Sequence, residues 1–176
     1  MVIVVGVVVA TAGIEQDRAW AWLDPVTDRI EQAIPTGTNP QSEATARPTV
    51  IDGDTLDVGD RRIRLFGIDA PESDQTCRRP DGSLWRCGQA ATAALAGKVR
   101  GRQIVCDVRS TDRYGRAVAI CEVGQTEVNR WLVREGLAVA YREYSRLYVP
   151  EEEAAQQQRR GIWATDFMAP SDWRTK

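Results

Sequence analysis

Cys106 and Cys121 lie equally far, in opposite directions, from the midpoint of Asp112-Arg113-Tyr114-Gly115, a tetrapeptide of turn-forming residues. If that tetrapeptide turns an antiparallel hairpin, Gln103–Val108 and Ala117–Val123 become its strands. The two cysteines then face each other across the pair, within disulfide range. Cys77 and Cys87 bracket a Pro-Asp-Gly loop and would close a second, local ring. No Cys-x-x-Cys pair occurs, which argues against a zinc ribbon or a dithiol redox motif.

Other segments follow the same grammar. Val50-Ile51, Leu56–Val58 and Ile63–Ile68 are short apolar or β-branched runs separated by Gly-Asp punctuation, and Val58-Gly59-Asp60-Arg61 has the form of a tight hairpin. Gln89–Val99 has alanine and leucine at helical spacing. Glu127–Arg134 predicts a second helix stopped by Gly136, and Pro150 opens a third that runs to Arg160 and closes at Gly161. The expected architecture is α+β: a five-stranded OB-fold β-barrel with about three helices, beginning near residue 49 and extending to 176. Residues 15–48 read as a short helix, interrupted at Pro25, and then a flexible Pro-, Thr- and Ser-rich linker.

Residues 1–14 carry no charge, and as a helix they would span about 21 Å, less than a bilayer's apolar core. Ala10-Thr11-Ala12 supplies a small-x-small cleavage pattern behind the apolar run, although the usual basic start is missing. An export signal, an uncleaved anchor and a buried apolar segment all fit this pattern. Four cysteines in two plausible pairs favour export to a periplasmic or extracellular compartment.

Charge limits the chemistry. The 176 residues contain no histidine, which excludes histidine-based triads, general bases and zinc sites. Residues 48–176 carry 20 basic and 19 acidic side chains, so a broad basic surface for tight non-specific duplex binding is not expected. Almost all the cations are arginines, and planar guanidinium suits two-point contact with phosphate. Carboxylates at Asp54, Asp69 and Glu72, interleaved with Arg64 and Arg116, are the groups that metal-assisted phosphodiester hydrolysis requires. Taken singly, Asp52-Gly53-Asp54-Thr55 also reads as a turn, Pro71-Glu72 as a helix start, and Arg116 as half of a surface ion pair. Arg64 resists such a reading: flanked by Ile63, Leu65 and Phe66, its charge is costly to bury without a partner.

The ordered set Ile51-Asp52-Gly53-Asp54-Thr55, Arg64-Leu65-Phe66-Gly67-Ile68-Asp69-Ala70-Pro71-Glu72, Asp112-Arg113-Tyr114-Gly115-Arg116, Val128-Asn129 through Gly136-Leu137-Ala138, and Arg160-Gly161-Ile162-Trp163 resembles the staphylococcal nuclease (thermonuclease) family across residues 49–163. The resemblance implies calcium held by Asp54, Asp69 and the main-chain carbonyl of Ala70, with other hard cations as alternatives. It implies Glu72 as general base and Arg64 and Arg116 as the phosphate-gripping cations. The implied reaction hydrolyses single-stranded DNA or RNA to leave 3′-phosphate ends, with no obligate protein partner and a monomeric enzyme. Arg113, Tyr114 and Tyr141 match substrate-contacting positions, whereas Tyr144 is displaced from the second expected tyrosine and Glu143 stands near it. The Cys77–Cys87 segment, with Arg78, Arg79, Trp85 and Arg86, is either a substrate-facing loop or a tied surface loop. The competing function is an inert OB-fold module that binds nucleic acid without cutting it; such a module has no need of Glu72.

Overall fold

The computed structural model describes residues 43–176; the apolar start, the short helix and most of the expected linker lie outside the described residues. The main sheet has the strand order β1-β8-β9-β4-β3-β2, with β10 also paired to β9. These strands are β1 (Glu43–Ala46), β2 (Pro48–Val50), β3 (Thr55–Val58), β4 (Arg61–Leu65), β8 (Ile104–Thr111), β9 (Ala117–Val123) and β10 (Thr126–Glu127). It is a nearly closed, barrel-like sheet of the OB type. Two small pairs accompany it: β5 (Ile68–Asp69) with β11 (Val139–Ala140), and β6 (Cys77–Arg78) with β7 (Leu84–Trp85). Among the described residues, four α-helices follow or interrupt the strands: α1 (Cys87–Val99), α2 (Val128–Arg134), α3 (Val149–Gln157) and α4 (Pro170–Trp173).

The sheet starts earlier than expected. Residues 43–46 and 48–50, most of them placed in a linker by composition, are strands β1 and β2. The physical reason is an edge: β1 pairs with β8, setting Ala44 opposite Cys106 and covering backbone groups that would otherwise stand open. Composition speaks only of the segment's own weak core-forming capacity, not of an edge awaiting it.

The cysteine hairpin forms as expected, by a route with one more step. Cys106 and Cys121 are directly opposed and disulfide-bonded; a second disulfide joins Cys77 on β6 to Cys87 at the start of α1. The turn is wider than a two-residue loop: Asp112 N–H donates to the Arg116 carbonyl, and Gly115 sits at φ +80°. That geometry shifts the register by one, and an irregularity between Val108 and Ser110 shifts it back before the cysteines.

Ile63–Ile68, expected as one strand, is two. Gly67 at φ +70° turns the chain after Leu65, so β5 leaves the main sheet to pair with β11. This break puts Asp69 opposite Val139. Leu56, Ile63, Leu65, Ile104, Ala119, Leu132 and Tyr148 pack in one buried core. Each fully buried leucine or isoleucine contributes about 2 kcal/mol. Buried Asn129 on α2 ties the parts together: its amide donates to the carbonyls of Phe66 (3.0 Å) and Ala119 (3.1 Å), and its oxygen accepts from Cys121 N–H (3.1 Å).

Candidate active site

Asp54 enters the site from the tight turn before β3. The Asp52 carboxylate accepts the Asp54 N–H, and Asp54 returns its carbonyl to Leu65 N–H (2.8 Å), so the turn is locked to β4. Gly53 is required by packing. A Cβ there would stand 2.7 Å from the Cβ of Ala70, so only glycine lets the turn lie against the Asp69-Ala70-Pro71 segment.

Antiparallel pairing sets Thr55 beside Arg64, next to Asp54. The Arg64 guanidinium then bridges two segments, bonding Asp54 Oδ1 through one nitrogen and Asp69 Oδ1 at 2.7 Å through the other. Both aspartates are almost wholly buried. The Ala70 N–H donates to Asp54 Oδ2 at 2.8 Å, so Ala70 contributes its amide here. Burial pushes the Asp54 carboxyl up to about 7, against the pull of Arg64. Burial disfavours the Arg64 charge too, but Asp54 and Asp69 outweigh it and hold the guanidinium above its ordinary value. The unusual exposure pattern of Arg64 in the sequence thus has its explanation in two buried partners.

Glu72 reaches this cluster through a residue that sequence reading did not select. Arg174, near the C-terminus, donates to both oxygens of Asp69 (2.9 and 3.0 Å) and to Glu72 Oε1 (2.7 Å). Asp54, Asp69 and Glu72 are therefore joined in a chain through two guanidiniums. No motif signal marks Arg174: it lies beyond every recognisable motif, in a short polar tail. Nor did sequence reading single out Gln75, which is fully buried and whose side-chain oxygen accepts the Glu72 N–H (3.1 Å).

The hairpin residues form a neighbouring group. Parallel pairing sets Val118 beside Arg64, and Arg116 lies two residues earlier, at the end of the turn that precedes β9. In this structure Arg116 Nε donates to Asp112 Oδ2 at 2.7 Å, so its guanidinium engages the turn and not Asp54, Asp69 or Glu72. Burial would raise the Asp112 carboxyl, but hydrogen bonds from Arg116 and the turn amides hold it below the usual carboxylate range. The exposed Tyr114 ring lies beneath both Arg113 (4.8 Å) and Arg116 (5.5 Å).

Tyr141 extends the β11 pairing, donating its N–H to the Gly67 carbonyl at 2.9 Å. Burial and the nearby Asp69 charge raise its phenol above its ordinary value. Tyr144, set aside by its spacing, comes back in the fold: the chain turns between them and the two rings stand 4.8 Å apart. Tyr141, Trp163 and Phe167 line an open cleft of about 550 Å³ that reaches Asp69.

The donor chemistry fits a hard divalent cation. Asp54, Asp69 and Glu72 face the two guanidiniums of Arg64 and Arg174, an excess of one formal negative charge that an oxygen-ligated dication can also meet, with water completing its shell. Among the described residues no three His, Cys, Asp or Glu side chains converge as a metal-holding group.

Comparison with known proteins agrees with this architecture. The family model described as "Staphylococcal nuclease homologue" matches residues 62–165. A succinoglycan biosynthesis protein, ExoI, of Rhizobium meliloti is 37% identical over 118 residues, 65% of this chain and 62% of that protein's length. A micrococcal nuclease of Shigella flexneri is 33% identical over 144 residues, covering 71% of this chain and 76% of the relative. A thermonuclease of Staphylococcus intermedius is 30% identical over 139 residues, with 73% and 80% covered.

Proposed function

Since the chain belongs to the staphylococcal nuclease family, whose members are metal-dependent hydrolytic nucleases, we propose that it cuts single-stranded DNA or RNA with calcium, leaving 3′-phosphate ends. The observation that carries this reading is the buried Asp54–Arg64–Asp69 bridge with Glu72 linked to its far side. Asp54, Asp69 and the Ala70 carbonyl would hold the cation, which when bound draws electron density from a phosphoryl oxygen.

The chain's own residues supply the rest. Arg64 is oriented by its two aspartates and presents a planar donor set to the phosphate. Arg116 swings from Asp112 to a second phosphate oxygen. Guanidinium donors gain most where charge increases, in the five-coordinate transition state. Glu72, about one-third exposed, accepts a proton from the attacking water. Tyr141 stacks on a base, with Tyr144 and the aromatic cleft beside it, while Arg113 and Tyr114 meet the terminal phosphate. The two disulfides and the small-x-small leader pattern support action in an exported, oxidising compartment, and a monomer is sufficient for every step.

The decisive experiment compares wild type and Glu72→Gln on denatured DNA, in calcium and in chelator. Cleavage is expected from wild type with calcium alone, and the amide should cut the rate by roughly 10²–10⁴-fold. Equal rates would remove Glu72 from the mechanism, and binding without cleavage under every metal would favour the inert module.

A further inference from the structure

The last eleven residues are strapped to the segment that carries Glu72. Asp166 and Arg78 exchange backbone hydrogen bonds of 2.8 Å each way, and the buried Gln75 side chain donates to the Met168 carbonyl at 2.8 Å. Trp173 Nε1 then donates to Asp74 at 3.2 Å. Helix α4, with Pro170 buried, aims the following residue, Arg174, into the carboxylate cluster. These first three anchors, on Arg78, Gln75 and Asp74, fall in a stretch itself tied to α1 by the Cys77–Cys87 disulfide.

Arg174 occupies both oxygens of Asp69, and Arg64 shares one of them. Three of the roughly four lone-pair directions of Asp69 are taken by guanidinium N–H groups, and Arg174 stands at both oxygens, so a cation that takes Asp69 as a ligand meets the Arg174 charge on either one. The same Arg174 nitrogen that bonds Asp69 also bonds Glu72, so a proton acceptor held this way is not free to take a water. Charge supports an exchange. Three carboxylates with two guanidiniums leave one formal negative charge, whereas a dication in place of Arg174 leaves none.

We propose that the C-terminal strap is an ion-gated latch: Arg174 is the resident cation of the metal-free site, and metal binding at Asp69 displaces it and releases Glu72. The inference rests on the metal reading of Asp54 and Asp69 given above. Mutual exclusion at Asp69 is a thermodynamic coupling and works in both directions. Removing Arg174 tightens metal binding, and metal loosens the tail.

The test uses the full oxidised chain and calcium alone, without substrate. Isothermal titration is compared for wild type, Arg174→Ala and Arg174→Lys. The alanine variant should bind about tenfold more tightly, with lysine in between because ammonium cannot span both Asp69 oxygens. A second readout is release of the Thr175-Lys176 dipeptide by trypsin, normalised to cleavage after Arg113 in the exposed turn. Saturating calcium should speed release severalfold, because cleavage requires the Arg174 side chain free of Asp69. Equal calcium affinities, or tail release indifferent to calcium, overturn the latch while leaving the metal site standing. Absence of calcium binding in all three variants overturns the metal reading itself.

Discussion

Two arginine–aspartate groups differ in kind. Arg64 joins Asp54 and Asp69 where all three are shielded from water, and each partner comes from a different turn or strand. Arg116 and Asp112 are four residues apart within one hairpin turn and remain partly open to solvent. The first group is structural and chemical at once, because a charge buried without its partner is costly. The second is weakly held, as surface pairs are.

Breaking the buried group should have the largest effect. Arg64→Ala leaves Asp54 and Asp69 without their shared cation and should lower unfolding free energy by about 3–5 kcal/mol, together with loss of cleavage. Arg116→Ala should leave stability within about 1 kcal/mol of wild type while reducing turnover by a factor of the order of 10² or more. Urea unfolding and rates on denatured DNA check both; a similar stability loss at the two positions would dissolve the distinction.

The disulfides sharpen the comparison at an intermediate scale. Replacing Cys106 and Cys121 together by serine, or Cys77 and Cys87 together, removes a cross-link over a separation of 15 or 10 residues. Each double variant should lose about 2–4 kcal/mol by calorimetry. Activity should separate them at a temperature where both remain folded: only the Cys77–Cys87 pair anchors the segment bearing Glu72. Equal activity loss in the two would show that the loop's tether has no special bearing on the site.

The smallest effect belongs to Asp112. Its carboxyl is held below the usual range in the folded protein, so its contribution is present above about pH 4 and fades as pH falls through the lowered value. Asp112→Asn should therefore cost less than about 1 kcal/mol at pH 7, and the gap between wild type and variant should close as pH falls through the lowered value. A gap that does not change with pH would assign the loss to turn geometry and not to charge.

Much of the barrel was legible because hairpins are local. The spacing of Cys106 and Cys121 predicted their opposition even though a one-residue shift at the turn and a compensating irregularity lay between. The three major helices showed themselves through alanine spacing, Gly136 and Pro150. Strand β1 was hidden by its turn-like composition, since its pairing depends on an edge about sixty residues away, while the start of β2 was hidden by the same composition although its partner β3 is local. The break at Gly67 was hidden by continuous apolar residues on both sides. In the site, Asp54, Arg64, Asp69 and Glu72 could be read from their motifs. Tyr144 could not, because ring proximity follows from a turn that spacing alone does not specify.

By itself the amino-acid order determined which chemistries were open: an arginine- and carboxylate-based site, with histidine chemistry closed off and Cys106 set opposite Cys121. Tertiary structure alone decided which charges meet. Arg174 finds Asp69 across 105 residues, and Arg116 turns to Asp112, because the energy of a charge pair depends on distance and burial, quantities that no local pattern encodes.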